Sequence, residues 1–120
     1  SSKWSEYILL APDLFHLLAK LALDKDVPSG EKAKIAGALA YFISPIDLLP
    51  EALMGPLGYL DDVALAAYVI NSVMKSCDPE IVTRHWAGDQ DVLELVQQIV
   101  DVAADMLGTK IWDKLKKMVS

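Results

Sequence analysis

Four carboxylates gather in one short stretch, SPIDLLPEALMGPLGYLDD, which runs from Ser44 to Asp62. Its acids are Asp47, Glu51, Asp61 and Asp62, and no basic residue stands among them. Oxygen-rich clusters of this kind suit hard divalent cations such as Mg²⁺, Mn²⁺ or Ca²⁺, and a bound cation would relieve the mutual repulsion. Asp47 and Glu51 stand four apart and share a face if the turn between them is helical. The same acids also have a plainer use. Each falls where a helix would begin, and a carboxylate there accepts backbone N–H bonds worth about 1 kcal/mol. Ser44-Pro45-Ile46-Asp47 has the form of a capping box, a cap residue followed three later by an acid. Asp61 and Asp62 open the next apolar run, where the helix dipole favours negative charge. Two readings follow: a divalent-cation site, or a set of helix starts that needs no cofactor.

The remaining reactive side chains are scattered. His16 follows Asp13 by three residues, a spacing used by carboxylate–histidine metal motifs in helical bundles. Those motifs come in pairs, and no second copy is present, so His16 is expected to face solvent. His85, beside Trp86 near the end of a helical run, is placed to complement the negative end of the dipole. Cys77 has no histidine beside it, no serine sits in a G-x-S-x-G elbow, and no glycine-rich loop suits a phosphate. No catalytic residue is assigned, and a metal-dependent hydrolase using the four acids is the alternative to a non-catalytic protein.

The end of the chain, TKIWDKLKKMVS, is amphipathic. Ile111, Trp112, Leu115, Met118 and Val119 are apolar, whereas Lys110, Lys114, Lys116 and Lys117 make the only basic patch in an acidic chain. Such a helix can dock on the core with its lysines in water. It can equally lie on an anionic membrane surface, with Trp112 and the lysines as contacts, or seat a protein partner.

What must position these groups is a helical scaffold. The chain of 120 residues has the length of one domain, 1–120, and can bury roughly two thirds of its unfolded surface without a metal or disulfide. Its single cysteine excludes an intrachain disulfide and fits a reducing, cytoplasmic compartment. Net charge is −6 and the one arginine is Arg84, which argues against nucleic-acid binding. Hydrophobic residues make up 53%, above the usual share of about 45–50%, so the chain has either a large helical core or an apolar surface that meets a partner or membrane. It opens on Ser1-Ser2 rather than Met, which leaves room for an upstream targeting or anchoring segment.

The apolar residues recur at helical spacing throughout. PDLFHLLAKLALD places Leu14, Leu17, Leu18 and Leu21 on one stripe, with KWSEYILLA before it as a short helix or a kinked extension. EKAKIAGALAYFI follows Ser29 as a candidate N-cap and stops at Pro45. LDDVALAAYVINSVMKSC is a long helix. DPEIVTRHWAG predicts a shorter one, with Asp78 as cap, Pro79 as first residue and Gly88 as terminator. In DQDVLELVQQIVDVAADMLG, Val92, Val96, Ile99, Ala103 and Met106 form a stripe opposite Glu94, Gln98, Asp101 and Asp105. No strand pattern occurs. The expected fold is all-α, a compact bundle of five or six helices around a central hairpin whose Pro/Gly-rich acidic turn is the 44–62 stretch. Each apolar flank of that turn is twelve residues, roughly 18 Å of helix against a hydrocarbon core of about 30 Å. Buried core helices fit this length, and an interfacial or re-entrant hairpin is the alternative.

The stretch from Tyr41 to Ile70 also resembles the signature of the YkvA-like proteins, domain of unknown function 1232. Ser44, Pro45, Ile46, Asp47, Leu48, Pro50 and Glu51 match its S-P-I-D-L-I-P-[DE] segment, and Gly58, Tyr59, Leu60, Asp61 and Asp62 match its G-Y-L-D-D segment. Leu49 stands where isoleucine is common, and Glu51 where aspartate is frequent. The resemblance implies a small, mostly bacterial helical family, some members of which carry membrane segments. The same domain occurs in some membrane-bound RING-type ubiquitin ligases. It assigns no catalytic residue and no cofactor.

Overall fold

The computed structural model of the chain describes residues 2–43 and 60–119, with side chains for 6–42 and 61–119. Among these residues every regular element is helical, in the order α1 (Ser2–Leu9), α2 (Ala11–Leu23), α3 (Ser29–Ile43), α4 (Leu60–Ser76), α5 (Glu80–Thr83), α6 (Val92–Leu107) and α7 (Thr109–Val119). The fold is all-α, with a Cα radius of gyration of 13.3 Å, close to that of a globule of this length.

The predicted stripes become the core. Leu14, Leu17, Leu18 and Leu21 on α2 are fully buried, each contributing about 1.5–3 kcal/mol of transfer free energy. Asp13 is half-buried, while His16 and Lys20 face solvent on the other side. On α6, Val92, Val96, Ile99 and Ala103 are buried; Met106 is only half-buried and Leu107 takes the last core position. Asp91 caps this helix by accepting the Leu93 and Glu94 N–H groups at 3.1 and 3.3 Å.

α4 is the axis of the molecule. It packs against all six other helices, most extensively against α6 and α3. Val63 to Ala67, Val69 to Asn71 and Val73 are buried, so α4 has almost no solvent face, as expected of a helix that is apolar nearly all round. Contacts fix its direction relative to α3. The start of α3 meets the end of α4 through Glu31 and Ser76, and the end of α3 meets the start of α4 through Tyr41 and Asp61. The pair is therefore antiparallel, which is the expected central hairpin. The joint itself, residues 44–59, lies outside the described residues. Among the described residues no helix is long and apolar enough to cross a membrane.

Of the two forms expected for the N-terminal segment, the short separate helix is the one present: α1 is parted from α2 at Leu10, with Pro12 in the first turn of α2. Two other local expectations are corrected. α3 begins at its predicted cap rather than after it: Lys32 N–H bonds to the Pro28 carbonyl, so Ser29 is already helical. α5 is a single turn. Asp78 does cap it, accepting the Glu80 N–H at 3.0 Å, but the helix ends at Thr83 and Gly88 does not terminate it. Gly88 leaves room for Trp86 instead: a Cβ there would lie 2.6 Å from the indole, whose Nε1–H donates to the Gln90 carbonyl at 3.0 Å. The glycine that turns the chain is Gly108, between α6 and α7, with φ at +87°. It lets α7 fold back onto α3, where Val119 approaches to 3.3 Å of a Cβ placed on Gly37.

Candidate functional site

The acidic joint is described at one shore only. Asp61 and Asp62 lie in the first turn of α4, and both are buried, Asp61 completely. The Tyr41 hydroxyl, from the last turns of α3, donates to Asp61 Oδ2, and Asp61 Oδ1 accepts the Asp62 N–H at 3.0 Å. Asp61 thus ties the two helices of the hairpin together as well as starting one of them. A carboxylate removed from water keeps its charge at low cost only when hydrogen-bonded, and the tyrosine supplies one such bond. Asp47 and Glu51 lie outside the described residues, as do Ser44, Pro45, Pro50, Gly58 and Tyr59. Among the described residues no three histidine, cysteine or acidic side chains converge on a possible metal position.

Two further polar clusters were not legible beforehand. Glu31, on the buried side of α3, accepts from Ser72 Oγ at 2.9 Å and from Ser76 Oγ at 3.0 Å. Lys34 Nζ lies 3.4 Å from the same carboxylate and donates to Ser72 Oγ at 2.9 Å. The one available signal was that Glu31 stands four residues before Ile35, at the head of the α3 core stripe. Nearby Cys77 is partly buried; burial first, and the Glu31 charge second, push its thiol pKa up and keep it in the unreactive protonated form.

The second cluster joins the α2–α3 turn to the segment after α5. Arg84 donates to Asp24 Oδ2 through Nη2 at 2.7 Å and Nε at 3.2 Å, and through Nη2 to Asp26 Oδ2 at 2.8 Å. Asp24 Oδ1 accepts the Asp26 N–H at 2.8 Å. The Arg84 bonds above all, then the Asp26 N–H and His85, hold the Asp24 carboxyl well below the usual carboxylate range. His85 Nε2 lies 2.6 Å from Asp24 Oδ2. Because that carboxylate is ionised, the imidazole presents Nε2–H to it. His85 is therefore half of a tertiary pair rather than a complement to a helix end. These bonds fasten the segment after α5 to the end of α2.

The terminal helix resolves into two faces. Leu115 is fully buried, and Trp112 and Val119 nearly so. Of the two placements open to Trp112, the core and a membrane or partner surface beside the lysines, the first is the one present. Its ring meets Tyr68 of α4 edge-on with centroids 5.6 Å apart. Lys116 Nζ sits 5.4 Å from the indole centroid and 3.6 Å from Asp113. Lys110, Lys114 and Lys117 are exposed.

Comparison with known proteins singles out the same part of the chain. Residues 31–68 match the sequence model of a family described as a protein of unknown function, DUF1232. The matched segment holds α3, the joint and the first half of α4, and so contains Glu31, Tyr41, Asp61 and Asp62. The uncharacterized protein ORF9 of Methanothermobacter thermautotrophicus is 28% identical over 99 residues, covering 82% of this chain and 68% of that protein. The E3 ubiquitin-protein ligase RNF170 of Danio rerio is 46% identical over 56 residues, 45% of this chain but 20% of the ligase. RNF170 of Xenopus laevis is 59% identical over 29 residues, which is 24% of this chain and 11% of the ligase. No solved structure matches. From the start of the Glu31 cluster to Tyr68, then, the chain is similar to the DUF1232 family, whose function is unknown.

Proposed function

We propose that the protein is a non-catalytic docking domain, working as one unit of 120 residues, that holds an anionic membrane surface against the lysine face of α7. The observation that carries this reading is the split of α7. Trp112, Leu115 and Val119 secure the helix to the core, while Lys110, Lys114 and Lys117, spaced along one side, are left in water. Met118, 54% exposed, adds an apolar contact beside them. On a chain of net charge −6 this is a local positive field, and each lysine near an anionic leaflet contributes about 1 kcal/mol. Binding of this kind is peripheral, reversible and screened by salt; on this reading the domain works at the cytoplasmic leaflet, which carries the anionic lipids. The similarity to ubiquitin ligases covers a fifth of those proteins or less, and ligase chemistry forms no part of the reading.

Phosphatidylcholine vesicles with and without phosphatidylglycerol test it by co-sedimentation. The domain should bind only the anionic vesicles and release them as salt rises. Replacing Lys110, Lys114 and Lys117 together with glutamine should abolish binding and leave the far-ultraviolet spectrum unchanged. Absence of binding at low salt would overturn the membrane reading and leave an acidic protein partner for the same face.

A second reading rests on the burial of Asp61 and Asp62 beside the joint that carries Asp47 and Glu51. On that reading the four acids bind Mg²⁺, Mn²⁺ or Ca²⁺. Calorimetric titration with each ion checks it, and a bound cation should raise thermal stability by mass action. Equal unfolding temperatures with cation and with chelator would eliminate it.

A further inference from the structure

We infer that the chain associates with itself head to tail: the apolar cleft between α1 and α6, with the acidic face beside it, takes the lysine face of α7 from a second copy. The cleft measures about 370 Å³. Leu10 and Leu95 lie in its lining, Leu9 stands 79% exposed at its edge, and Glu6 and Gln98 supply polar groups. Leu9 is thus part of an apolar depression rather than an isolated surface leucine. Gln98 also belongs to the exposed stripe of α6, with Glu94, Asp101 and Asp105, and α6 contains no basic residue. The Glu94 and Asp101 carboxylates accept only from neutral amides, of Gln98 at 3.3 Å and Gln97 at 2.8 Å. Among the described residues no cation pairs with any acid of this stripe.

Charge complementarity names the occupant. On α7, Lys110, Lys114 and Lys117 face water, and Met118, 54% exposed, stands four residues after Lys114 on the same side. Lys110 and Lys117 are seven residues apart, as are Glu94 and Asp101, so each pair spans about 10 Å along one side of its helix. No ion pair joins the two faces within the chain, although α6 and α7 are consecutive, so the match can be used only between copies. Met118 against Leu9 would supply the apolar contact, and the charges around it the orientation. Because the two faces differ, every added copy presents a fresh acidic face, and the product is a chain or ring rather than an isologous pair. Anionic lipid would compete for the same lysines. The inference rests on the exposure of those lysines and not on the membrane reading.

Sedimentation velocity on the full chain tests it. At about 0.01 M salt, where charges act over about 30 Å, the sedimentation coefficient should rise with protein concentration; at about 1 M, where they act over about 3 Å, it should stay that of the monomer. Glu94→Lys with Asp101→Lys, and separately Lys110→Glu with Lys114→Glu and Lys117→Glu, should each be monomeric at low salt. All five positions are exposed, and far-ultraviolet spectra check that the helices persist. Mixed together, the two variants should associate again, since each offers the other complementary faces. Leu9→Gln should weaken association about tenfold; an unchanged affinity would overturn the cleft's part in the interface. A wild type that stays monomeric at low salt while binding phosphatidylglycerol vesicles would overturn the inference and leave the membrane reading standing. Association with rescue on mixing, in a protein that ignores those vesicles, would support the inference and remove the membrane reading. Association that survives in both variants alone would overturn the assignment of the two faces.

Discussion

Trp112→Ala should cost about 3–5 kcal/mol of folding stability, the range for truncating a buried aromatic side chain. The indole is 6% exposed, stacks edge-on against Tyr68, and carries Lys116 across its face. Its removal leaves a void where α7 meets α4, and neither helix can close it without dragging Leu115 and Val119 out of register. The loss should appear in urea unfolding as a lower midpoint. Lys114→Gln and Lys117→Gln serve as controls, since exposed substitutions away from special contacts stay within about 0.5 kcal/mol. A Trp112→Ala protein as stable as wild type would show the indole free of the core, and the lysine face would then have to be redrawn with tryptophan in it. A large loss separates two properties that share one helix: the tryptophan holds α7 in place, and the lysines are what the helix displays.

That separation was not legible in the sequence, for a physical reason. A short helix with tryptophan and leucine on one side and lysines on the other satisfies a membrane and a protein core equally well. Only the tertiary neighbour decides, and Tyr68 lies far away in the chain. The same limit hid the polar clusters. Asp24 and Arg84 are sixty residues apart, and so nothing local pairs them. Yet Asp24 stands three residues after Leu21, continuing the buried stripe of α2, and an acid in such a position signals a distant partner. By contrast, the stripes of α2 and α6 were legible because a period of 3.6 fixes a face whatever it packs against. The antiparallel α3–α4 pair was legible from its Pro/Gly-rich joint, and Tyr41–Asp61 at one end and Glu31–Ser76 at the other bear it out. The break at Leu10 was foreshadowed by Pro12, which suits the first turn of a new helix.

The Asp24 cluster carries the second large effect, and it should depend on pH. Asp24 is 5% exposed at its side chain and receives Arg84, His85 and the Asp26 N–H together. Removing one partner of a buried ion pair costs about 3–5 kcal/mol. Arg84 is 38% exposed and keeps Asp26 at 2.8 Å, so Asp24→Ala should fall towards the lower end, about 2–4 kcal/mol. Asp24→Asn keeps the shape and an acceptor for the Asp26 N–H, and should cost less. The carboxyl is held below its unfolded value of about 3.9, so in the acid range the unfolded chain binds the proton more readily than the folded one. The stability it contributes is therefore complete above about pH 5 and is lost as pH falls through and below 4. Unfolding midpoints of wild type and Asp24→Asn, measured in urea at steps from neutral pH downward, isolate this group from the other carboxylates. The gap between the two proteins should be widest near neutrality and close in acid. A gap that stays constant across the range would mean that the ion pair contributes nothing and that Asp24 acts by shape alone, leaving α5 fastened to α2 by the buried Ile81 and Val82 instead.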